Sequence, residues 1–145
     1  FYNAHFIFER LFGDDMGFTA GKDIGVNPYG NSVIVNGKFL QENPEVVKGF
    51  VQVTQKAYAE CAKNPDPCLD SLVRQVSGLK RADTAENWKL VAAESSRKGA
   101  LGYFDPARMK GDYELIEAYF NLEKPFDITS AYSNEYLDMS IKFGM

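Results

Sequence analysis

Residues 29–36 read Tyr29-Gly30-Asn31-Ser32-Val33-Ile34-Val35-Asn36, and the stretch Asn43-Pro44-Glu45 follows shortly after them. The Gly30-Asn31 pair tolerates positive φ, so it predicts a sharp turn before a buried strand of β-branched residues. An asparagine followed by a proline is typical of a helix start. This order of turn, strand, spacer and helix predicts an α/β fold, in which a ligand crevice lies where a strand ends in an open sheet.

Helix signals dominate the rest of the chain. We expect helices over residues 4–12, 44–63, 66–78, 83–98 and 105–120, and short strands at 23–26 and 32–35. The tail from 126 to 137 is predicted to be a docked, partly extended segment with one short helical turn. Since two or three strands are too few for five amphipathic helices to cover, part of the sheet is expected to lie outside this chain.

The helix predicted over 44–63 has the clearest periodicity. Its apolar positions recur at steps of three and four residues and predict one covered face, whereas Gln55 is assigned to the opposite, polar side. The residues of the predicted covered face are Val47, Phe50, Val51, Thr54, Ala57, Tyr58 and Cys61.

Composition narrows the class of protein. The chain has 145 residues, 45% of them hydrophobic and 14% aromatic, which indicates a folded domain rather than a disordered segment. A net charge of −4 and the lack of a basic cluster argue against a nucleic-acid partner. No apolar run approaches the roughly 20 residues of a membrane span. Because the chain starts at Phe1, we expect a processed or truncated product that lacks its own N-terminal half.

The two cysteines, Cys61 and Cys68, flank a turn that contains two prolines. They are either two buried thiols or a disulfide between two helix ends, and a turn of this length favours the disulfide. A disulfide would indicate an oxidising compartment. A metal site is not expected, since His5 is the only histidine and there is no second cysteine pair.

The sequence contains no G-x-S-x-G elbow, no P-loop and no G-x-G-x-x-G, so we expect neither catalysis by this chain nor a bound cofactor. Polar and aromatic residues instead follow the predicted strands. Aromatic rings offer a face for stacking, and asparagine offers both a donor and an acceptor to a polar ligand. The alternative is that these residues only build turns and helix faces. The candidate ligand-binding residues are Tyr2, Asn3, His5, Tyr29 and Asn31.

Several segments together resemble the NMT1/THI5-like family of ABC-transporter substrate-binding proteins. They are 1–3 before a helix, 29–36, 39–40 with 43–47, Gly102-Tyr103-Phe104-Asp105-Pro106-Ala107-Arg108-Met109, and Tyr132-Ser133-Asn134-Glu135-Tyr136-Leu137. The resemblance spans nearly the whole chain, and it rests on the order and spacing of these segments rather than on one motif.

The resemblance implies the helix-rich, strand-poor C-terminal portion of a two-lobed periplasmic-binding-protein fold of type II. Residues 1–30 would form the end of the inserted lobe and a hinge crossing near Tyr29 to Asn31, and residues 31–145 would belong to the other lobe. The protein would be exported to the periplasm and would deliver a small polar molecule to ABC permease subunits. Its contact with the membrane would be through that permease alone.

Ligands implied by the resemblance are thiamine-pyrimidine precursors, taurine or other sulfonates, and nitrate. The family commonly has an aromatic residue and a glutamate after the Tyr-Asn pair, where this chain has Ala4 and His5. Because histidine can donate where glutamate only accepts, ligands that carry acceptors also fit. Two alternatives stay open: a THI5-like enzyme that makes the thiamine pyrimidine with pyridoxal phosphate, and a helical interaction module without a pocket.

Overall fold

The computed structural model describes residues 2–95 and 99–143, with Tyr2 described by its backbone alone. In this part of the chain the α-helices are α1 (His5–Phe12), α2 (Gly37–Glu42), α3 (Pro44–Lys63), α4 (Pro65–Gln75), α5 (Arg81–Ser95) and α6 (Pro106–Tyr119). Short 3₁₀ helices cover Tyr2–Ala4, Gly13–Asp15, Gly21–Ile24 and Ile128–Ala131. No helix among these residues is both long and apolar enough to cross a membrane.

Both predicted strands are wrong. Residues 23–26 lie in the 3₁₀ helix Gly21–Ile24 and the turn after it, where Gly25 adopts a φ of +84°. Residues 32–35 are irregular, and no strand is found anywhere in the described ranges. A strand needs a neighbour for its backbone groups, and no described residue pairs with the backbone of 32–35. Of the α/β prediction, only the helix-rich part is therefore found.

A helix replaces the spacer that was predicted between the strand and α3. Asn36 caps α2, since its Oδ1 accepts from the backbone nitrogens of Lys38 and Phe39 at 3.0 and 3.2 Å. Asn43 does not cap α3 with its side chain. Its Nδ2 instead donates to the Phe39 carbonyl at 3.3 Å and closes the end of α2.

Helix α3 packs against α2 and α4, but its covered face differs from the prediction. Val47 is buried as expected, whereas Phe50 is 59% exposed. Gln55, assigned to the polar side, is only 4% exposed. Its side chain is buried because the C-terminal tail and the loop after residue 99 lie against this face and offer backbone groups to the amide.

The junction of α3, α4 and α5 is held by a disulfide and by ion pairs. Cys61 and Cys68 are bonded, with an S–S distance of 2.01 Å and Cα atoms 5.9 Å apart. Arg81 at the start of α5 donates to Asp70 and Asp66 of α4 at 2.6 and 2.5 Å. The hydrogen bonds to these two carboxylates raise the pKa of Arg81, and the bond to Asp70 has the larger effect. Helix α4 is thereby joined to α3 by the disulfide and to α5 by the ion pairs.

Helix α5 begins at Arg81, two residues before the predicted helix start at residue 83. The Asp83 carboxylate accepts from Arg10 of α1 at 2.6 Å and so joins the two helices. The predicted end of this helix, 96–98, lies outside the described residues.

Few large hydrophobic side chains of the described residues are buried. The aromatic ring of Trp88 on α5 lies 6.0 Å from that of Tyr58 and 6.2 Å from that of Phe143, which is 9% exposed. No described side chain has less than 2% of its area exposed. Val33, Ile34, Phe50 and Tyr119 are 52%, 93%, 59% and 81% exposed.

Candidate ligand site

Tyr29 is the best-anchored of the sequence-predicted site residues, and it is half-buried. Its hydroxyl accepts from the backbone nitrogen of Asp105 at 2.8 Å. Its ring meets that of Phe104 edge to face, with centroids 5.0 Å apart. The guanidinium carbon of Arg108 lies 3.9 Å from the ring centroid, within cation–π range. Tyr29 therefore joins the 29–36 segment to the start of α6.

Arg108 makes the largest set of contacts in this region. Its Nε and Nη2 donate to the Asn27 carbonyl at 3.0 and 2.7 Å, and Nη2 also reaches the Asn27 Oδ1 at 3.3 Å and the Pro28 carbonyl at 3.0 Å. The planar guanidinium suits such divergent acceptors. Asp105 starts α6, and its Oδ1 accepts from the Arg108 backbone nitrogen at 3.0 Å.

The C-terminal segment 132–137 joins the same cluster. Asn134 and the backbone of Phe104 exchange two hydrogen bonds, since Asn134 Oδ1 accepts from the Phe104 nitrogen and Nδ2 donates to its carbonyl, both at 2.9 Å. The ring of Tyr132 lies 5.6 Å from that of Phe104. Three segments that carry the resemblance, 29–36, 102–109 and 132–137, thus meet around Tyr29 and Phe104.

Asn31 lies exposed two residues beyond Tyr29 and hydrogen-bonds to no residue of the described part. It can offer both a donor and an acceptor to a ligand. A surface cavity of about 360 Å³ adjoins the anchored segment, and its lining residues are Gly25, Asn27, Arg108, Gly111, Asp112 and Leu115. The cavity is an open depression, and neither Tyr29 nor Asn31 lines it.

The N-terminal candidates have a different set of neighbours. The Asn3 carbonyl accepts from Asn87 of α5 at 2.8 Å. The His5 ring stacks on Phe18 with centroids 4.3 Å apart, and its Nε2 lies 3.7 Å from Glu9. The side chain of Tyr2 lies outside the described residues. No hydrogen bond or ion pair joins Asn3 to Tyr29 among the described residues.

Sequence reasoning missed Arg108, Asp105 and Asn134 as parts of this cluster. The Asp105-Pro106 pair predicts a helix start, but nothing in the sequence pairs Arg108 with a carbonyl 81 residues earlier. Among the described residues, no three or more His, Cys, Asp or Glu side chains are placed together to hold a metal. The side chains of the cluster are polar and aromatic.

Comparison with known proteins agrees with the resemblance. The NMT1/THI5-like family model matches residues 1–67. A curated relative, the riboflavin-binding protein RibY of Chloroflexus aurantiacus, is 25% identical over 114 residues, which make up 74% of this chain and 32% of that protein. The chain thus spans about a third of the length of the curated relative that it matches. No solved structure matches it. The resemblance described from the sequence is thereby confirmed by a match of the NMT1/THI5-like family model to residues 1–67.

Proposed function

We propose that this chain is part of a solute-binding protein of an ABC importer, which holds a small polar molecule and delivers it to permease subunits. The observation that carries the proposal is the convergence on Tyr29 of three resemblance-bearing segments, with exposed Asn31 beside them. The relative named as a riboflavin-binding protein supports a binding role over a catalytic one.

A planar nitrogen heterocycle is the ligand class that we propose. The relative's name indicates riboflavin, and the thiamine pyrimidine implied by the resemblance is also a flat ring with nitrogen acceptors. Aromatic side chains stack on such rings, and asparagine pairs with their donors and acceptors. Sulfonates and nitrate, the other ligands implied by the resemblance, lack a ring to stack.

We propose the lobe division expected from the sequence, with residues 1–30 ending one lobe and residues 31–145 belonging to the other. The exposed apolar surface supports a chain that packs against more protein. Val33 and Ile34 are exposed on a segment whose backbone pairs with no described residue, and Phe50 lies exposed on α3. Contiguous exposed apolar surface marks places where other protein packs.

An exported, periplasmic location fits the bond between Cys61 and Cys68, because disulfides persist in oxidising compartments. The same bond weighs against a cytosolic enzyme that uses pyridoxal phosphate. Contact with the membrane would be through the permease.

Titration with riboflavin tests the proposal. Flavin fluorescence and calorimetry measure its dissociation constant, and hydroxymethylpyrimidine, taurine and nitrate are tested as competitors. We expect riboflavin to bind and to raise the unfolding temperature. Of the three competitors, we expect only hydroxymethylpyrimidine to displace it. Asn31→Ala should weaken binding about tenfold through a lost ligand hydrogen bond.

Asn121→Ala is the matched control, since Asn121 is also exposed and lies beyond the end of α6. An equal loss of riboflavin affinity in the two variants would show that Asn31 does not contact the ligand. Binding of taurine or nitrate in preference to both heterocycles would overturn the ligand class, and binding of none would overturn the proposed function.

A further inference from the structure

We propose that Arg108 is a positioning residue of the candidate ligand site, because it holds residues 27–29 on the first turn of α6 and so fixes where Gly30 and Asn31 lie. The inference rests on the proposed function, since it takes residues 29–31 as the ones that meet the ligand.

The first anchor is the set of hydrogen bonds to backbone. The Arg108 guanidinium bridges the carbonyls of Asn27 and Pro28 at 2.7 to 3.0 Å. Apart from the bond that Val26 donates to Gly21, the chain from 26 to 35 makes no backbone–backbone hydrogen bond with a described residue. The side chain of Arg108 therefore provides an attachment that secondary structure provides elsewhere.

The second anchor is Tyr29 itself. Its ring lies under the guanidinium at 3.9 Å, and its hydroxyl accepts from the Asp105 nitrogen at 2.8 Å. Asp105 in turn caps the turn that carries Arg108. The two anchors come from one helical turn, so they act as a unit on the segment.

The next fixed point along the chain is Asn36, which caps α2. Between the two points, residues 30–35 pair with no described backbone, and Ile34 is 93% exposed. Asn31 lies two residues after the Tyr29 anchor and five before the Asn36 cap. The position of Asn31 thus depends more on the contacts of Arg108 and Tyr29 than on the Asn36 cap.

Arg108→Ala and Arg108→Lys test this inference against Lys110→Ala, which removes a positive charge from an exposed position on the same helix. The first measurement needs no ligand: exchange of the Asp105 amide hydrogen, followed by NMR. We expect exchange about tenfold faster in Arg108→Ala and unchanged in Lys110→Ala, because the Tyr29 hydroxyl leaves its donor.

The second measurement is the dissociation constant for riboflavin. We expect about tenfold weaker binding by both Arg108 variants, since lysine keeps the charge but lacks the planar fork. Millimolar guanidinium should restore affinity to Arg108→Ala, whereas methylammonium should not, because a planar cation can bridge both carbonyls. A purely structural loss would not respond to the shape of the added cation.

Unchanged exchange in Arg108→Ala overturns the anchoring. Faster exchange with unchanged riboflavin affinity overturns the link to the ligand site. An equal loss of affinity in Lys110→Ala would show that only the positive charge matters, and it overturns the same link. If the unaltered protein binds no riboflavin, the proposed function fails, and the Asp105 exchange rate still decides whether Arg108 anchors the segment.

Discussion

Gln55 and Asp138 exchange two hydrogen bonds across 83 residues of sequence. The Asp138 nitrogen donates to Gln55 Oε1 at 2.8 Å, and Gln55 Nε2 donates to the Asp138 carbonyl at 3.3 Å. The same Nε2 donates to the Leu101 carbonyl at 2.8 Å. One buried amide on α3 therefore fastens both the tail and the loop before α6.

Gln55→Leu should lower the free energy of unfolding by about 1–3 kcal/mol, because it leaves the part-buried Asp138 nitrogen and Leu101 carbonyl without the partner that Gln55 provides. Gln52→Leu on the same helix is the matched control, since the Gln52 side chain hydrogen-bonds to no described residue. Urea unfolding measures both variants. Equal stabilities for the two would show that the buried amide contributes nothing particular.

Phe143→Ala should shift the emission of the protein's single tryptophan, Trp88, to longer wavelength and destabilise the fold by about 3 kcal/mol. The reason is that Phe143 is 9% exposed and covers the indole. Phe50→Ala serves as the control, because Phe50 is 59% exposed and its loss should leave the emission unchanged. An unshifted spectrum in Phe143→Ala would contradict the packing described for the C-terminal tail.

Replacing Cys61 and Cys68 by alanine should lower the free energy of unfolding by roughly 2–3 kcal/mol, because the bond closes a short loop and restricts the unfolded chain. Reductant should destabilise the unaltered protein by a similar amount and leave the double variant unchanged. Unfolding in urea with and without dithiothreitol measures this. A double variant as stable as the unaltered protein would show that the helix junction does not depend on the bond.

Local signals in the sequence predict the helices well. Pro44 and Pro106 each stand at the first position of a helix, because proline lacks the amide hydrogen that this position leaves unpaired. The two predicted strands are absent from the described residues because strand formation does not depend on local signals alone. Val33 and Ile34 have strand propensity, but a strand forms only beside another, and periodicity carries no information on whether a neighbour is present.

The candidate site was predictable only in part. Tyr29 and Asn31 stand out because a Gly between them indicates a turn, whereas the guanidinium that lies on the Tyr29 ring comes from Arg108, 79 positions later. Gln55 shows the same limit on α3: its polarity predicts exposure, but the tail that buries it belongs to distant sequence. Contacts of this kind depend on tertiary packing, which single-sequence patterns do not encode.

Acid should loosen the C-terminal segment through Asp127 and Asp138. The hydroxyl and amide of Ser140 hold the pKa of Asp138 below its usual range, and the Thr129 amide, then its hydroxyl, does the same for Asp127. A carboxyl with a lower pKa in the folded state stabilises above its unfolded value, about 4, and loses that contribution as the pH falls through the folded value.

The expected result is that these two groups leave stability unchanged between pH 7 and about 5 and reduce it below about pH 4. The double variant Asp127→Asn, Asp138→Asn should lose less stability over the acid range than the unaltered protein, because its amides do not titrate. Urea unfolding at pH 7, 5, 4 and 3 measures the difference. Equal acid losses in the two proteins would mean that the turns at Thr129 and Ser140 do not couple these carboxylates to folding.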